Sequence, residues 1–382
     1  MKSPQTGIET NSFSAANLKI SGKNFAMGKM IARSFCIIAL FLILPLRCEE
    51  KNMSIFDIRN NSNTVSKYVA IVVFSFFILY GIVGNLLLAT VIRCRENHYS
   101  RAFIFIISQL IICNLTVFFL QLVYIVPGIL GFGSSLHEHV AFWSHHVFVN
   151  VERLCFVAIL QFTFLLAVNR FVVLILPKFD VWFESKLLFM IGLLWLSALA
   201  ITISHTYFCT TRYHVSTLSW IINCTKQSGE SGKFFIQIYT LWKTVLPVAM
   251  FIIYIVIFYS IRRKRYFSSG IFTLFARQNA SASKTNNYER SMLIQAALTC
   301  ISMEIEMIFF EFSSAFAVKI FGTEAYVLSR ITVNCLIIFN CSVLPTVYFI
   351  YNKRARRIIK QHFLRLFLKD RFVTNTTTLQ VN

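Results

Sequence analysis

The sequence predicts an all-α membrane protein, a bundle of seven transmembrane helices, and two observations lead to this fold class. The first is composition, because 56% of the 382 residues are hydrophobic and only 14% are charged, whereas a soluble domain carries about a quarter charged residues. The second is that the hydrophobic residues form long stretches, each with the roughly 20 residues that a helix needs to cross a bilayer. These stretches lack the alternation of barrel strands, so helices are expected to satisfy the backbone hydrogen bonds in lipid.

Seven such stretches follow one another along the chain. They run approximately Tyr68–Ile92, Ala102–Val126, Val147–Leu176, Leu187–Phe208, Phe234–Ile261, Met292–Val318 and Tyr326–Tyr351. An odd number of crossings places the two ends of the chain on opposite sides of the membrane. We therefore expect an extracellular N-terminal segment (1–67), a seven-transmembrane domain (68–351) and a cytoplasmic C-terminal segment (352–382).

The distribution of basic residues predicts the orientation. The net charge is +21, with Lys and Arg concentrated in the first connection, in the connection after the fifth stretch and in the tail, whereas Gly131–His146 contains neither. By the positive-inside rule, the basic connections and the C-terminus face the cytoplasm and the N-terminus faces outside, at the plasma membrane. Since the chain shows no nucleic-acid recognition module, we attribute the charge to the membrane and expect no nucleic-acid partner.

The N-terminal segment contains an eighth, shorter apolar run, Ser34–Leu46, which follows Lys29 and Arg33. At about 13 residues it is too short to cross the bilayer but suits the apolar part of a signal peptide. We therefore predict either a cleaved signal around residues 30–48 or a shorter natural protein that begins at Met53. The residues after the run do not match the usual small-residue cleavage pattern.

Two of the ten cysteines, Cys209 and Cys224, lie in one predicted outer loop, after the fourth stretch. Because the outer side of the membrane is oxidising, the sequence predicts a disulfide between them. Most of the other cysteines lie within the stretches and are interpreted as small apolar residues. Glycosylation sequons on the predicted outer side make the chain a candidate glycoprotein, and they begin at Asn52, Asn60 and Asn223.

Polar residues in the first stretch predict a structural hydrogen-bond cluster. The segment Gly81-Ile-Val-Gly84-Asn85 combines two small residues, which permit close helix approach, with an amide that needs a polar neighbour in hydrocarbon. Asn114 of the second stretch and Asn340 of the seventh are the candidate neighbours.

Two motifs mark the predicted inner ends of the spans. Asn169-Arg170-Phe171 ends the third stretch, where a guanidinium can reach lipid headgroups or pair with a neighbouring helix. Pro345-Thr-Val-Tyr348 lies near the end of the seventh stretch. The residues after it, Lys353–Leu368, alternate apolar and basic residues at helical spacing, which predicts an amphipathic helix on the anionic inner leaflet.

Together these motifs resemble those of rhodopsin-like G protein-coupled receptors. The resemblance rests on Gly-Asn in the first span, Arg170 ending the third, Pro247 in the fifth and Pro-x-x-Tyr in the seventh. The block Ser100–Pro127 is further similar to nematode chemosensory receptors called serpentine receptor class X. That block contains Ser108-Gln109-Leu110-Ile111, and two further segments fit the family, namely Ala167-Val-Asn169-Arg170-Phe171 and Cys209…Trp220…Cys224.

The resemblance covers about residues 68–365 and implies a chemoreceptor that binds a small molecule or peptide and signals to a heterotrimeric G protein. It implies a signalling switch at Asn169, Arg170, Pro345 and Tyr348. The chain departs from the usual pattern with His145 where a cysteine commonly stands, and with Asn169 in place of an acid. Leu344 replaces an Asn or Asp before Pro345, and the sixth stretch has no proline. These departures concern the details of activation rather than the fold.

Ionisable residues in the outer parts of the spans are the candidate ligand contacts. Each costs about 2.5–3.5 kcal/mol on insertion scales, so it is expected to face the bundle interior. At 1.5 Å per residue they lie within about 15 Å of the outer surface. The candidates are Glu152, Arg153, Lys243, Glu311 and Arg330. Such a mixed-charge cup suits a polar or zwitterionic molecule.

The sequence leaves several alternatives open. Lys243, Glu311 and Arg330 could instead neutralise one another between helices. Glu304 and Glu306 lie deeper and point to opposite faces, so they are not expected to line one pocket together. The intramembrane charges also admit a membrane transporter or channel, against which no inverted repeat is evident. Histidines crowd the loop after the second stretch, but we expect no metal, no cofactor and no enzymatic activity.

Overall fold

The computed structural model describes residues 64–94, 100–130, 138–214, 218–224, 229–271, 280–322, 325–353 and 355–361. Within these residues the chain forms seven long helices and one β-hairpin. The helices are α1 (Thr64–Arg93), α2 (Arg101–Leu130), α3 (Glu138–Ile175), α4 (Asp180–Phe208), α5 (Gly229–Ile271), α6 (Ala280–Phe321) and α7 (Ala325–Tyr351). The hairpin strands, β1 (Thr210–His214) and β2 (Ser219–Asn223), lie between α4 and α5.

The seven helices confirm the seven-helix fold predicted from the sequence. Among the described residues, six helices contain a stretch long and apolar enough to cross a membrane. The seventh, α6, carries Glu304, Glu306 and Glu311 within its apolar part, and it packs most extensively along α7. Several helices run beyond the predicted stretches, as α5 does at both ends. A helix need not end where the hydrocarbon ends, so apolarity alone underestimates its length.

The outside of the bundle is apolar, as expected for a surface that lipid covers. Val72, Phe76, Leu188, Phe189 and Phe234 are all more than 60% exposed. A soluble protein rarely exposes so large an apolar surface. The structure therefore supports a multi-pass membrane protein.

The buried residues form two separate clusters that share α3. The larger cluster takes its buried members from α1, α2, α3, α4, α7 and the hairpin. The smaller cluster lies between α3, α5 and α6, and its buried members are Leu160, Ala167, Met250, Tyr254, Ile257, Cys300 and Met303. Helices α5 and α6 therefore pack on α3 through a core of their own.

Two glycines let α1 approach its neighbours closely. A Cβ atom placed on Gly81 would overlap the ring of Phe118 in α2, a side chain with no exposed surface. A Cβ on Gly84 would lie 3.5 Å from the ring of Pro345 in α7. The two small residues predict a close approach of helices, and the helices leave the least space for a side chain at Gly81.

The hairpin lies across one end of the bundle, which we call the hairpin end. Its antiparallel strands pair Thr210 with Asn223 and His214 with Ser219. The predicted disulfide between Cys209 and Cys224 is present and closes the base of the hairpin.

Contacts with helices α3 and α7 hold the hairpin in place. Trp220 of β2 stacks on Phe148 of α3, with ring centroids 6.1 Å apart, and Phe148 stacks on Tyr124 of α2 at 4.2 Å. The side-chain amide of Asn334 in α7 donates to the carbonyl oxygen of Leu218, at 2.9 Å. These contacts make the hairpin a fixed cover over the bundle.

After α7 the chain turns into a second helical segment, residues 355–361. The Asn352 side-chain oxygen accepts from the Ala355 backbone N–H at 3.1 Å, as an N-cap does. Arg356 donates to the carbonyl oxygens of Phe349 and Ile350, the last turn of α7. This segment is the start of the predicted amphipathic helix, whose remainder lies outside the described residues. The predicted signal around residues 30–48 and the sequons at Asn52 and Asn60 lie outside them too.

Candidate functional site

A cavity of about 140 Å³ opens beneath the hairpin, between α3, α4, α5, α6 and α7. We call it the upper cavity. Its roof includes Thr211, Trp220 and Ile222 of the hairpin. Its polar walls come from the four helices α3 to α6, and they consist of Glu152, Arg153, His205, Tyr239, Lys243 and Glu306.

A second cavity of about 60 Å³, the lower cavity, adjoins the first. Both cavities are lined by Glu152, Phe156 and Glu306, among others. The lower cavity extends from these residues to Pro247 in α5 and to Asn340 in α7. The two spaces thus follow the boundary along which α5 and α6 meet the rest of the bundle.

Glu152 forms the α3 wall of both cavities. One carboxylate oxygen accepts a hydrogen bond from the side chain of Gln121 at 2.9 Å. Gln121 begins a π-helical turn in α2, Gln121–Ile125, a local irregularity that often occurs at functional sites. The other carboxylate oxygen of Glu152 is buried and has no hydrogen-bond partner among the described residues. Glu152 itself lines both cavities.

The opposite wall is formed by α5, α6 and α7. Glu306 accepts a hydrogen bond from the side-chain amide of Asn340, and Asn340 accepts one from Ser302 at 3.0 Å. The ammonium nitrogen of Lys243 lies 5.6 Å from the centroid of the Phe310 ring. Glu306 and Lys243 are both nine-tenths buried. This wall thus holds one acid and one base, each with contacts of its own.

His205 of α4 and Thr211 of β1 complete the upper cavity. The His205 ring is fully buried and lies edge-on to Phe235 and Tyr239, with centroid distances of 5.9 and 5.5 Å. Neither ring nitrogen of His205, nor the hydroxyl of Thr211, has a hydrogen-bond partner in the part of the chain that the structure describes. Leaving a buried polar atom unpaired costs about 1–3 kcal/mol. A polar molecule that formed hydrogen bonds with these atoms would recover that free energy.

The structure brings three of the five predicted ligand contacts together. Glu152, Arg153 and Lys243 all line the upper cavity. Arg330 is not among the described residues that line it, and its guanidinium lies over the ring of Tyr326 at 5.2 Å. The side chain of Glu311 lies outside the described side chains. Whether these residues contact a ligand stays a prediction.

Sequence reasoning missed part of this lining. Glu306 lines both cavities, although it was not among the predicted ligand contacts. Glu304 is not among the described lining residues, in keeping with the expectation that the two acids point apart. A buried histidine in an apolar span was a usable signal for His205. Thr211 and Trp220 were not predicted from the sequence to lie at a ligand site, because it is the hairpin that brings them to the cavity.

Two of the three residues of the predicted polar cluster are hydrogen-bonded to each other. Asn114 donates to the side-chain oxygen of Asn85 at 3.3 Å, and Asn85 donates to the carbonyl oxygens of Gly81 and Cys341. The third residue, Asn340, has its hydrogen bonds with Ser302 and Glu306 of α6. Consecutive helical residues point about 100° apart. Cys341 of α7 therefore faces α1, whereas its neighbour Asn340 faces α6.

The four predicted switch residues lie at the end of the bundle opposite the hairpin. The guanidinium carbon of Arg170 is 4.2 Å from the centroid of the Phe103 ring in α2. Asn169 is fully buried, and both polar atoms of its side chain lack a hydrogen-bond partner among the described residues. Tyr348 is buried beside Phe349, and Pro345 adjoins Gly84. A signalling role for these residues stays a prediction.

Comparison with known proteins agrees with this architecture. A protein-family model described as "Serpentine type 7TM GPCR chemoreceptor Srx" matches residues 76–341. The match covers well over half of the chain and extends from α1 to α7, so it includes both cavities and the hairpin. No curated protein matches the chain.

Proposed function

The chain belongs to the Srx family of serpentine seven-transmembrane chemoreceptors, and from that membership we propose a specific mode of action. The receptor binds a small molecule in the upper cavity and signals to a heterotrimeric G protein from the opposite end of the bundle. The observation that carries the proposal is a group of buried polar atoms in Glu152, His205 and Thr211 that have no hydrogen-bond partner among the described residues, and all three residues line one cavity.

The proposed orientation puts the hairpin end outside the cell. A disulfide between Cys209 and Cys224 is stable in that oxidising environment. The described residues at the opposite end are rich in basic side chains, as expected for the cytoplasmic side. These residues are Arg93, Arg262, Arg263, Lys353, Arg356 and Arg357.

The division of the core supports a route from ligand to G protein. The upper cavity is lined by α3, α5 and α6, and the second core cluster lies between the same three helices. A ligand that binds one arrangement of α5 and α6 better than another shifts the population toward that arrangement. The shift would change the surface at the Arg170 end, where the G protein is proposed to bind.

The signalling part of the proposal is tested by replacing Arg170 with Ala in a cell assay of G protein dissociation. We expect ligand-evoked dissociation to be lost while surface expression, measured with an extracellular epitope tag, is retained. Arg93→Ala is the matched control, because Arg93 is an exposed basic residue at the same end of the bundle. Unchanged signalling by Arg170→Ala would contradict the proposed role of this residue.

The location of the ligand is tested by filling the cavities. Ile337 lines both of them, so Ile337→Trp is expected to abolish the response while the receptor still reaches the surface. Leu188→Trp, on the lipid-facing surface of α4, is expected to respond normally. A normal response of Ile337→Trp would place the ligand elsewhere.

A transporter or channel is the second candidate, because charged residues of α3, α5 and α6 meet in one buried space. This function is tested by measuring flux across proteoliposomes that contain only the purified protein. Flux of ions or of the ligand in the absence of a G protein would support this function. We expect no flux.

A further inference from the structure

We propose that the ligand of the upper cavity is a small zwitterion whose ammonium group binds Glu152 and whose carboxylate binds Arg153. This inference rests on the proposed ligand site. It does not depend on coupling to a G protein.

The first step is the balance of charge in the upper cavity. Its lining contains two acids, Glu152 and Glu306, and two bases, Arg153 and Lys243. With both acids ionised, a ligand with a net charge would upset this balance in a buried site, where isolated charge is costly. A ligand that carries one charge of each sign preserves it.

The second step is that the two walls differ in what they leave unpaired. On the α5–α6 wall, Glu306 is hydrogen-bonded to Asn340 and Lys243 lies against Phe310. On the α3 wall, Glu152 has only the neutral Gln121 as a hydrogen-bond partner among the described residues, and its second oxygen is buried without one. A charged group of a ligand would therefore find an unmatched partner on the α3 wall.

The third step is the separation of hydrogen-bond acceptors from donors. The carboxylate of Glu152, when ionised, can only accept, and an ammonium group offers it up to three donors. Arg153 follows Glu152 on the helix and so points about 100° away from it. Its guanidinium can donate to both oxygens of a carboxylate. A neutral His205 ring and the Thr211 hydroxyl can each donate one further hydrogen bond, and both are buried and unpaired among the described residues.

The fourth step is size. A cavity of about 140 Å³ is roughly ten times the space that a single buried water needs. It therefore suits a molecule of about ten non-hydrogen atoms or fewer, such as an amino acid. An amine without a carboxylate would leave Arg153 unmatched. A carboxylic acid without an amine would leave Glu152 unmatched and would lie beside two acids.

The experiment uses the full chain in lipid nanodiscs and measures ligand-induced shifts of thermal unfolding and calorimetric binding. The probes are the natural α-amino acids and the straight-chain ω-amino acids up to 6-aminohexanoate. Each is compared with the carboxylic acid and the amine of the same carbon chain. We expect at least one zwitterion to bind saturably and its two singly charged analogues to bind at least tenfold more weakly. Equal binding of a singly charged analogue, or binding of no zwitterion in the set, would overturn the inference.

Two variants test the proposed orientation of the zwitterion. Glu152→Gln and Arg153→Gln are each expected to weaken binding of the zwitterion at least tenfold. Glu152→Gln should also lose its discrimination against the acid, and Arg153→Gln its discrimination against the amine. Glu184→Gln, an exposed acid that accepts from Ser100 far from the cavity, is the control. The same shift of preference in both variants would contradict the assignment of ends.

The wild-type probe series stands alone if a variant does not fold, because the comparison between analogues needs no substitution. The binding measurement also contains no G protein. Saturable binding of a different ligand class that Ile337→Trp abolishes would reject the zwitterion and leave the proposed receptor site in place. Binding of a zwitterion with no G protein response in cells would support the zwitterion and reject the proposed signalling function.

Discussion

The guanidinium of Arg170 lies over the ring of Phe103, with its central carbon 4.2 Å from the ring centroid. The contact joins the end of α3 opposite the hairpin to the start of α2. Phe103 is only 5% exposed, so the pair is partly desolvated, and such cation–π contacts contribute about 1–2 kcal/mol. The residue before Arg170 is the neutral Asn169, which supplies no negative charge. We infer that the aromatic ring helps to hold Arg170 within the bundle.

Replacing Phe103 with Leu is expected to raise signalling in the absence of ligand. The change keeps the position apolar but removes the cation–π contact. If the contact stabilises the resting arrangement by about 1 kcal/mol, the active fraction should rise about fivefold. Basal G protein dissociation, normalised to surface expression, measures it. Phe105→Leu, at an exposed position on α2, is the control. Equal basal signals for the two variants would argue against this role.

Gly81→Ala is expected to destabilise the protein because the new Cβ atom would overlap the buried ring of Phe118. Overpacking of this kind typically costs about 1–3 kcal/mol. Thermal unfolding in detergent, followed by intrinsic fluorescence, should show a lower midpoint. Gly192→Ala is the matched control, since a Cβ atom on the exposed Gly192 meets nothing within 4 Å. Similar midpoints for both variants would show that α1 adjusts without cost.

The fold was predictable because lipid imposes a strong and simple pattern. A span must be long, apolar and helical, so the positions of all seven helices follow from hydropathy. Their ends do not, because polar residues continue the helices beyond the hydrocarbon. The hairpin was not predicted either. Its five-residue strands depend on the disulfide and on contacts such as Asn334 with Leu218, which are distant in sequence.

Only the charged residues of the site could be predicted from the sequence. Glu152, Arg153 and Lys243 stand out in apolar spans, and the fold places them on one cavity. Arg330 stands out equally, but its guanidinium lies over the ring of Tyr326. Its position could not be predicted, because hydropathy does not fix the rotation of a helix about its axis. Glu306 was not predicted as a ligand contact but lines both cavities. Its place there depends on which face of α6 meets the cavities, and the sequence does not give that face.

Removing the disulfide should weaken both stability and ligand response. In Cys209→Ser/Cys224→Ser the hairpin loses the covalent closure of a loop with a sequence separation of 15. Such a closure contributes about 3 kcal/mol in the chain-entropy model. Because Thr211 and Trp220 roof the upper cavity, we also expect a lower apparent affinity for ligand. Unfolding midpoints and dose–response curves measure the two effects, and Cys94→Ser, at an exposed free cysteine, is the control. An unchanged dose–response curve would mean that the hairpin stays in place without the bond.

The hydrogen bond between Asn114 and Asn85 makes a quantitative prediction, because its partners lie on α2 and α1 and are both buried. Alanine substitutions at the two positions should not be additive in the free energy of unfolding. Hydrogen bonds between membrane helices contribute about 0.6 kcal/mol on average and at most about 1.7 kcal/mol, so the coupling energy should fall in that range. Asn340 provides the control, since its hydrogen bonds run to α6 instead. Asn85→Ala and Asn340→Ala should therefore combine additively in a double-mutant cycle. A coupling between Asn85 and Asn340 as large as that between Asn85 and Asn114 would restore the three-residue cluster that the sequence predicted.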